Sequence, residues 1–389
     1  MLALKLAYRN LAGAGLRTWL NAFVLSLSFV VIVWHKGLLD GWNRQARRDM
    51  IAWELGAAQY WRPAYDPYDP FALADSHGPI PGPAREHIAR GACAPILVTQ
   101  GTVYPEGRAQ SVLLRGIDPA QHVLEIPAAL LAGHVETIPV LLGTRMASSL
   151  GLEVGDTVTL RWRDARGAFD AAEVQLAGVF RTNVPTVDAG QMWLPLERLQ
   201  AMLEIPGQAT LLVAGNGAAD LVLPGWKRKE QAELLTQLDE IIRSKSVGGA
   251  ILYALLLSLA MLAIFDTQVL SVFRRQREIG TDIALGMTRA QVIRLFTVEG
   301  AMHSVLAAAL ALLYGGPLLW LQVRHGFELP AGMDDYGLAV AEKIIPAYSV
   351  GLILGTTLLV TLSATIVSYI PARRIAKMNP TDAIRGKIQ

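Results

Sequence analysis

The amino-acid sequence predicts a membrane protein with four transmembrane α-helices and a large extracytoplasmic α+β domain between the first and second helices. Two observations support this fold class. Hydrophobic residues make up 52% of the chain and charged residues 17%, which is more apolar than an average soluble protein. The apolar residues are also gathered into four long runs, and about two hundred residues of mixed, globular composition separate the first run from the second.

The four apolar runs and their flanks define the predicted segments. The first run is interpreted as an uncleaved signal anchor, because Trp34, His35 and Lys36 occupy the place where a secretory signal needs small residues for cleavage. In chain order the predicted segments are a cytoplasmic interfacial helix 1–17, transmembrane helix 18–36, the extracytoplasmic domain 37–246 ending in a stalk helix, transmembrane helix 247–273, a cytoplasmic hairpin 274–297, transmembrane helix 298–321, an outer loop 322–347, transmembrane helix 348–370 and a cytoplasmic tail 371–389.

The basic residues on the short flanks give the orientation. The hairpin between the second and third runs contains five arginines, and the tail contains five lysines and arginines. The loop between the third and fourth runs has only Arg324 and Lys343 against four acidic residues. By the positive-inside rule, both termini and the hairpin are cytoplasmic, and the domain at 37–246 lies outside.

The extracytoplasmic domain has the pattern of an α+β fold. Short apolar runs bounded by turn residues predict strands, and the patches 143–150 and 196–204 are helical. The Pro-rich stretch 63–83 is predicted to be loop, and Gly155 and Gly167 mark tight turns. The six strand candidates are 96–103, 111–117, 158–162, 173–180, 191–194 and 210–213.

A helical pattern leads from this domain into the second span. Leu235, Leu238 and Ile242 repeat at helical spacing, and no turn residue separates them from the apolar run. Two interpretations stay open: a continuous stalk that carries motion between membrane and outer domain, or a plain surface helix that precedes a span.

The stretch between the second and third spans predicts a helical hairpin that a separate cytoplasmic protein contacts. Gly286 stands where a left-handed cap would end the first helix. Thr288 and Gln291 have the spacing of a capping box that begins the second, with Met287 and Val292 as its hydrophobic staple. The first helix is expected to continue out of the membrane with an apolar stripe formed by Val272, Gln276, Ile279 and Ile283.

Several polar or small residues fall inside or beside the predicted spans. Asp266 and Glu299 lie near the cytoplasmic ends of their helices, so we expect an ion-paired collar with hairpin arginines rather than a proton path. His303 is expected to pack between helices. For Gly351 and Gly355 two interpretations stay open: they have the spacing of a close helix contact, or they face lipid.

Motifs of several enzyme classes do not occur in the sequence. There is no Gly-x-x-x-x-Gly-Lys-Ser/Thr stretch for ATP, no His-Glu-x-x-His and no Gly-x-Ser-x-Gly. The seven histidines lack ligand spacing, so no metal site is expected, and Cys93, the only cysteine, cannot form an intrachain disulfide. A membrane-anchored enzyme with its site in the outer domain would need a catalytic constellation that we do not find. The net charge of +2 does not indicate nucleic acid.

Three stretches carry a family resemblance. The first lies in the hairpin and consists of Arg277-Glu278-Ile279-Gly280, Ala284-Leu285-Gly286, and the separate residues Gln291, Ile293, Phe296 and Glu299. The tail from Pro371 to Arg385 and the segment from Leu114 to Pro119 add to these. With these residues the chain resembles the FtsX/MacB-like permease family of mechanotransmitting ABC systems, nearest to the LolC/LolE-type lipoprotein-releasing permeases.

The resemblance implies a location and a set of partners. The protein would lie in the bacterial inner membrane, with a MacB-like periplasmic core domain outside. It would need no cofactor of its own, because ATP would be bound by two copies of a cytoplasmic ABC ATPase. A second permease, identical or paralogous, membrane lipids, and a lipoprotein or periplasmic partner would complete the assembly. The ATPase-coupling segment implied by the family consists of Arg277, Glu278, Ile279, Gly280, Ile283, Ala284, Leu285 and Gly286.

The resemblance also implies a function. ATP hydrolysis in the partner would move the outer domain and extract lipoproteins from the inner membrane. The alternatives keep the same machinery and transmit the motion to a cell-wall hydrolase, or to an efflux duct for peptides or small molecules. Only a brief turn at Gly167 stands where LolC-type subunits carry a long hook for a periplasmic carrier, so direct carrier binding is not expected.

Overall fold

The computed structural model describes residues 16–69, 71–133, 137–328 and 343–375. The chain divides into a helical unit, Met1–Asn43, Ile242–Leu329 and Lys343–Gln389, and a sheet unit, Arg44–Ile241 and Pro330–Glu342. Most of the interfacial helix predicted at 1–17, part of the loop predicted at 322–347 and the tail beyond residue 375 lie outside the described residues.

Secondary structure covers most of the described chain. The helices are α1 (Leu16–Met50), α2 (Gly82–Ala89), α3 (Thr144–Leu150), α4 (Pro185–Gly190), α5 (Leu196–Met202), α6 (Gln231–Leu234), α7 (Thr236–Arg274), α8 (Gln276–Ala284), α9 (Arg289–Leu310), α10 (Gly316–His325) and α11 (Val350–Ile375). The strands are β1 (Ala58–Trp61), β2 (Gly78–Pro79), β3 (Cys93–Val103), β4 (Gln110–Ile117), β5 (Ile138–Gly143), β6 (Thr157–Arg163), β7 (Phe169–Phe180), β8 (Gln191–Pro195), β9 (Gln208–Ala209), β10 (Leu211–Ala214), β11 (Lys227–Glu230), β12 (Phe327–Glu328) and β13 (Lys343–Ile344). Two π-turns lie at Ile51–Leu55 and Ala311–Gly315.

Among the described residues, four helical stretches are long and apolar enough to cross a membrane. They are Thr18–Leu55, Thr236–Arg274, Arg289–His325 and Val350–Arg374. Small and branched side chains from all four stretches pack into one apolar cluster, formed by Leu25, Ala260, Met261, Ile264, Ala307, Val360 and Ala364. The described parts of these helices therefore share a common core.

Helix α1 is longer than the span predicted at 18–36. Its 35 residues extend about 52 Å at 1.5 Å per residue, well beyond a hydrocarbon core of about 30 Å. Gly37 and Gly41 do not end the helix. They let the segment before α11 come close, because a Cβ at Gly37 would meet the ring of Tyr348 and one at Gly41 the carbonyl oxygen of Ile345. The backbone N–H of Ala347 donates to the carbonyl of Gly37 at 2.8 Å.

Helix α7 is continuous from Thr236 to Arg274. It therefore contains both the predicted second span and most of the leucine-containing stretch before it. Both interpretations of that stretch, a stalk that carries motion and a plain surface helix before a span, contain this continuous helix.

A π-turn interrupts the third apolar helix. Tyr314, within the turn, has its hydroxyl 3.1 Å from the hydroxyl of Ser26 on α1. A Cβ at Gly315 would meet the side chain of Val30, so the turn fits closely against α1. Pro317 follows in the first turn of α10, where its missing N–H costs little.

Helices α9 and α11 touch at Gly300. A Cβ added at Gly300 would collide with the side chain of Ser368, whereas Gly355 has no atom within 4 Å of such a Cβ. The proposed contact at Gly351 and Gly355 is therefore not formed within the described chain, and the close helix packing occurs at Gly300 instead. Small residues allow this approach, which in membranes replaces the hydrophobic driving force.

We predict that Gly300→Leu destabilises the helical unit while Gly355→Leu does not. The larger side chain at Gly300 would have to displace Ser368 or separate the two helices, at a cost of about 1–3 kcal/mol. Thermal unfolding of the purified protein in detergent measures this difference. Equal melting temperatures for the two variants would contradict the assignment of Gly300 as the contact point.

The sheet unit is built on a nine-stranded sheet in the order β11-β1-β10-β3-β4-β8-β5-β7-β6. Strand β3 also pairs with β6. The six neighbouring strands β3, β4, β8, β5, β7 and β6 therefore close into a barrel. The length of β3 makes this possible, since Cys93–Ile96 pair with β10 and Leu97–Val103 with β4. One strand thus belongs both to the barrel and to the sheet that extends from it.

Alternation along the strands fills the barrel. Val158, Leu160 and Trp162 of β6 are buried while their neighbours are exposed, as expected for a strand with one face inward. The indole N–H of Trp162 donates to the carbonyl of Met202 at 2.9 Å. This bond satisfies the single polar atom of a large buried side chain.

All six predicted strands and both helical patches are present, and Gly155 (φ +103°) and Gly167 (φ +90°) form the predicted turns. The loop prediction for 63–83 is wrong in three places. A short 3-10 helix lies at Ala72–Asp75, β2 lies at Gly78–Pro79, and Pro81 and Pro83 begin helix α2, where proline is favoured. Strand β11 was not predicted because its sequence, Lys-Arg-Lys-Glu, is entirely charged, which suits an exposed edge.

Candidate functional site

The hairpin begins with a bend at Arg275. Helix α7 ends at Arg274 and α8 starts at Gln276, with Arg275 at φ −97° and ψ 12° between them. The expectation of one helix continuing out of the second span is therefore wrong at this residue. The guanidinium of Arg275 donates to Glu278 at 2.9 Å and to Glu299 at 3.1 Å, and it lies 5.1 Å from the ring centre of Phe296. These contacts hold the bend in place.

The turn between α8 and α9 has the predicted geometry. Gly286 adopts φ +105°, a conformation that favours glycine. Gln291 N–H donates to the Thr288 hydroxyl at 3.3 Å, and Thr288 N–H donates to the Gln291 side chain at 2.8 Å. This reciprocal capping box fixes where α9 starts.

The apolar stripe of α8 faces the protein and not the solvent. Ile279 is 4% exposed and Gly280 is also buried. The cluster around Ile279 consists of Val272, Val292, Phe296 and Ala372, with Ile283, Met287 and Ile293 against its edge. Ile279 and Gly280 therefore support the hairpin from inside and are not available for contact with another protein.

The opposite face of the hairpin is exposed. Of the residues implied as the coupling segment, Arg277, Glu278, Ala284, Leu285 and Gly286 are exposed and Ile283 is half-buried. Leu285 is 82% exposed, so the turn presents an apolar side chain to the surroundings. The hairpin thus presents one apolar side chain at its tip, next to basic residues that include Arg289.

The membrane-interface residues behave differently from one another. Glu299 is 6% exposed and pairs with Arg275, so the expected ion pair is confirmed for this residue. Asp266 is exposed, and within the described ranges no basic group lies within salt-bridge distance of it, so it does not join a collar. His303 is buried between helices, with Nδ1 3.1 Å from the carbonyl oxygen of Glu299, as a packed polar residue would be.

The described residues contain no cluster of three or more His, Cys, Asp or Glu side chains placed to hold a metal ion. The hairpin has the features of a contact surface and not those of a catalytic or metal site. A basic surface with a protruding leucine is held on a rigid apolar base, next to a bend that joins it to α7.

We predict that Ile279→Glu destabilises the protein itself and that Thr281→Glu, at an exposed position of the same helix, is tolerated. A carboxylate at Ile279 would be buried in an apolar cluster without a partner, at a cost of about 3 kcal/mol or more. Yield from membranes and thermal unfolding in detergent compare the two variants. Equal stability would show that Ile279 is not part of the core.

The comparisons with known proteins agree with the resemblance seen in the hairpin. Residues 250–380 match the family model described as FtsX-like permease C-terminal. The chain is 23% identical to the lipoprotein-releasing system transmembrane protein LolC of Xylella fastidiosa, over 93% of this chain and 92% of that protein. It is 26% identical to the pyoverdine export ATP-binding/permease protein PvdT of Pseudomonas fluorescens, over 56% of this chain and 29% of that protein.

A third similarity is to the macrolide export ATP-binding/permease protein MacB of Rhodopirellula baltica, with 25% identity over 39% of this chain and 20% of that protein. The matched family region includes the hairpin with its capped turn and exposed tip. The similarity to LolC extends over nearly the whole chain and the family match covers the hairpin helices, so the chain is similar to ABC transporter permeases of the LolC, MacB and FtsX type.

Proposed function

We propose that this chain is the transmembrane subunit that converts ATP hydrolysis by a partner ATPase into motion of its own periplasmic domain. The observation that carries the proposal is the hairpin at 274–297, whose apolar base is buried while its tip is exposed. This is the arrangement expected of a surface that receives force from another protein. The similarity to LolC over nearly the full chain supports it.

The proposal assigns a topology. The four apolar stretches cross the inner membrane, the hairpin and both termini are cytoplasmic, and the sheet unit lies in the periplasm. The basic residues of the hairpin and tail support this orientation. The continuous helices α1 and α7 serve as stalks between the membrane and the sheet unit.

The ATPase-contacting surface is proposed at the exposed hairpin residues. Leu285 would enter an apolar pocket of the ATPase, and Arg277 and Arg289 would face acidic groups at its rim. Glu278 and Gly286 lie on the same surface, whereas Ile279 and Gly280 act from inside. Two ATPase copies would bind the nucleotide and a second permease would complete the pair, with lipids around the helices and no cofactor in this chain.

We predict that Leu285→Glu uncouples the ATPase without unfolding the permease. The substitution places a charge in the proposed apolar contact, and an exposed position imposes little cost on folding. We expect co-purification of the ATPase to fall about tenfold or more, equivalent to about 1.4 kcal/mol, at an unchanged melting temperature. Val222→Glu, at a site that is 89% exposed in the sheet unit, is the matched control. Normal ATPase recovery with Leu285→Glu would reject the hairpin tip as the contact.

The substrate is proposed to be a lipoprotein that is released from the inner membrane. LolC, a relative similar over nearly the whole chain, is named for lipoprotein release, while PvdT and MacB, named for export, match over a smaller part. The second candidate is motion passed to an efflux duct or to a cell-wall hydrolase.

Depletion of the chain from its own cells distinguishes these loads. Lipoprotein release predicts that lipoproteins accumulate in the inner membrane fraction, as measured by density separation and mass spectrometry. Chaining or lysis with normal lipoprotein sorting would favour the hydrolase, and loss of resistance or secretion alone would favour the efflux duct. Re-expression of the wild-type chain is the control.

A further inference from the structure

Helix α1 ends inside the sheet unit next to a carboxylate, Glu54, whose side chain is 13% exposed. Glu54 lies in the π-turn Ile51–Leu55 that follows the helix. Its Oε1 accepts hydrogen bonds from Arg115 Nη2 at 3.0 Å and from Gln191 Nε2 at 3.2 Å. Its Oε2 accepts a hydrogen bond from the Thr186 hydroxyl at 2.9 Å. We call these four residues the Glu54 clasp.

The clasp joins the helix end to the wall of the barrel. Arg115 is on β4 and Gln191 is on β8, and these two strands pair with each other, with Arg115 beside Trp193. Arg115 is 6% exposed and its guanidinium lies 5.4 Å from the ring centre of Trp193, a fully buried side chain. Removing one charge from so enclosed a pair leaves the other uncompensated, which is far more disruptive than losing a surface ion pair.

Contacts on either side of Glu54 extend the attachment. Asp49 accepts a hydrogen bond from Asn183 Nδ2 at 2.9 Å, and Trp53 stacks on Phe180 with ring centres 5.6 Å apart. The carbonyl of Ala52 accepts the N–H of Glu125 at 2.9 Å. The last turns of α1 are therefore fixed to several parts of the sheet unit at once.

Helix α7 reaches the barrel by a less direct path. It follows β11, an edge strand that, in the described sheet, pairs only with β1. Near its start Asp239 forms an ion pair with Arg47, but these side chains are 44% and 42% exposed. An exposed pair of this kind contributes little. Displacement of α7 would pass to the barrel through β1 and β10, or through the hydrogen bond from Gln231 Nε2 to the Gly56 carbonyl oxygen at 3.0 Å, which meets the chain beside Glu54. Helix α1 holds the barrel wall itself.

We propose that Glu54 is the positioning residue through which helix α1 moves the barrel, so that ATP-driven displacement of the permease reaches the sheet unit mainly by way of α1. This inference rests on the proposed function. Without the Glu54–Arg115 pair, Gly56 directly after the π-turn, at φ +63°, would let the chain bend between helix and barrel, and the motion would be lost at that point.

The test measures movement of the sheet unit in the complete complex in lipid nanodiscs. A donor dye is attached at Val222→Cys and transfers energy to headgroup-labelled lipid, before and after addition of ATP. Burial raises the pKa of the Cys93 thiol to about 12, so it stays protonated and unlabelled at neutral pH. ATP turnover is recorded on the same samples, and thermal unfolding checks that each variant is folded.

Glu54→Gln keeps the shape of the side chain but removes its charge. We expect its ATP-dependent change in energy transfer to fall about threefold or more, while ATP turnover continues. Asp239→Asn makes the same chemical change at the exposed ion pair of α7 and should behave like the wild type. Should Glu54→Gln not fold, Thr186→Val removes one hydrogen bond at an exposed position and is expected to reduce the movement partially.

The outcomes separate the two proposals. A wild-type change that is lost in Glu54→Gln and kept in Asp239→Asn supports the clasp as the transmitting contact. A change of wild-type size in folded Glu54→Gln overturns the inference but leaves the proposed function standing. No ATP-dependent change in the wild-type complex overturns the proposed function, and the role of Glu54 with it.

Discussion

The burial of Ile279 against the start of α9 is the contact on which the rest of the candidate site depends. It fixes α8 to the base of the third apolar helix and to Ala372 at the end of the fourth. Without this packing, α8 could bend relative to the helices on either side of it. The cluster joins the exposed side of the hairpin to the ends of two apolar helices, and a close-packed apolar cluster resists small deformations. Arg275 adds a polar constraint at the same place.

In the sheet unit, the strands that follow α1 and precede α7 belong to the same sheet as the barrel. Strand β3 is divided between two sets of partners, so the barrel and the extended sheet cannot separate without breaking the same strand. The strands that adjoin the long helices, β1 and β11, pair with each other at one end of that sheet. The barrel and the extended sheet are thereby linked through backbone hydrogen bonds, and the long helices are joined to this ladder along the chain.

Sequence patterns predicted the local features well. The capping box at Thr288, the glycine turns and the six strands were found because each depends on a few neighbouring residues. The direction of the α8 stripe was not predicted, since an apolar face at Ile279 fits a partner protein as well as the protein's own core. The bend at Arg275 was missed for a related reason: it is stabilised by Glu299, which is distant in the chain.

Hydropathy alone did not predict how far the long helices extend. It located the four long apolar helices but not where α1 ends and α7 begins, because helical hydrogen bonds continue through polar residues that hydropathy treats as flanks. The ion pair of Glu54 and Arg115, whose side chains are 13% and 7% exposed, could not be predicted from composition, because in the sequence each residue looks like an ordinary surface charge.

The π-turn at Ala311–Gly315 has a consequence for helical-wheel diagrams of the third apolar helix. A π-turn holds one residue more than an α-turn, and each residue of an α-helix advances the wheel by about 100°. Every position from Gly316 to His325 is therefore rotated by roughly that angle from where an uninterrupted wheel begun at Arg289 would draw it. Substitutions in α10 need a wheel of their own, restarted after Gly315, before their faces are compared with those of α9.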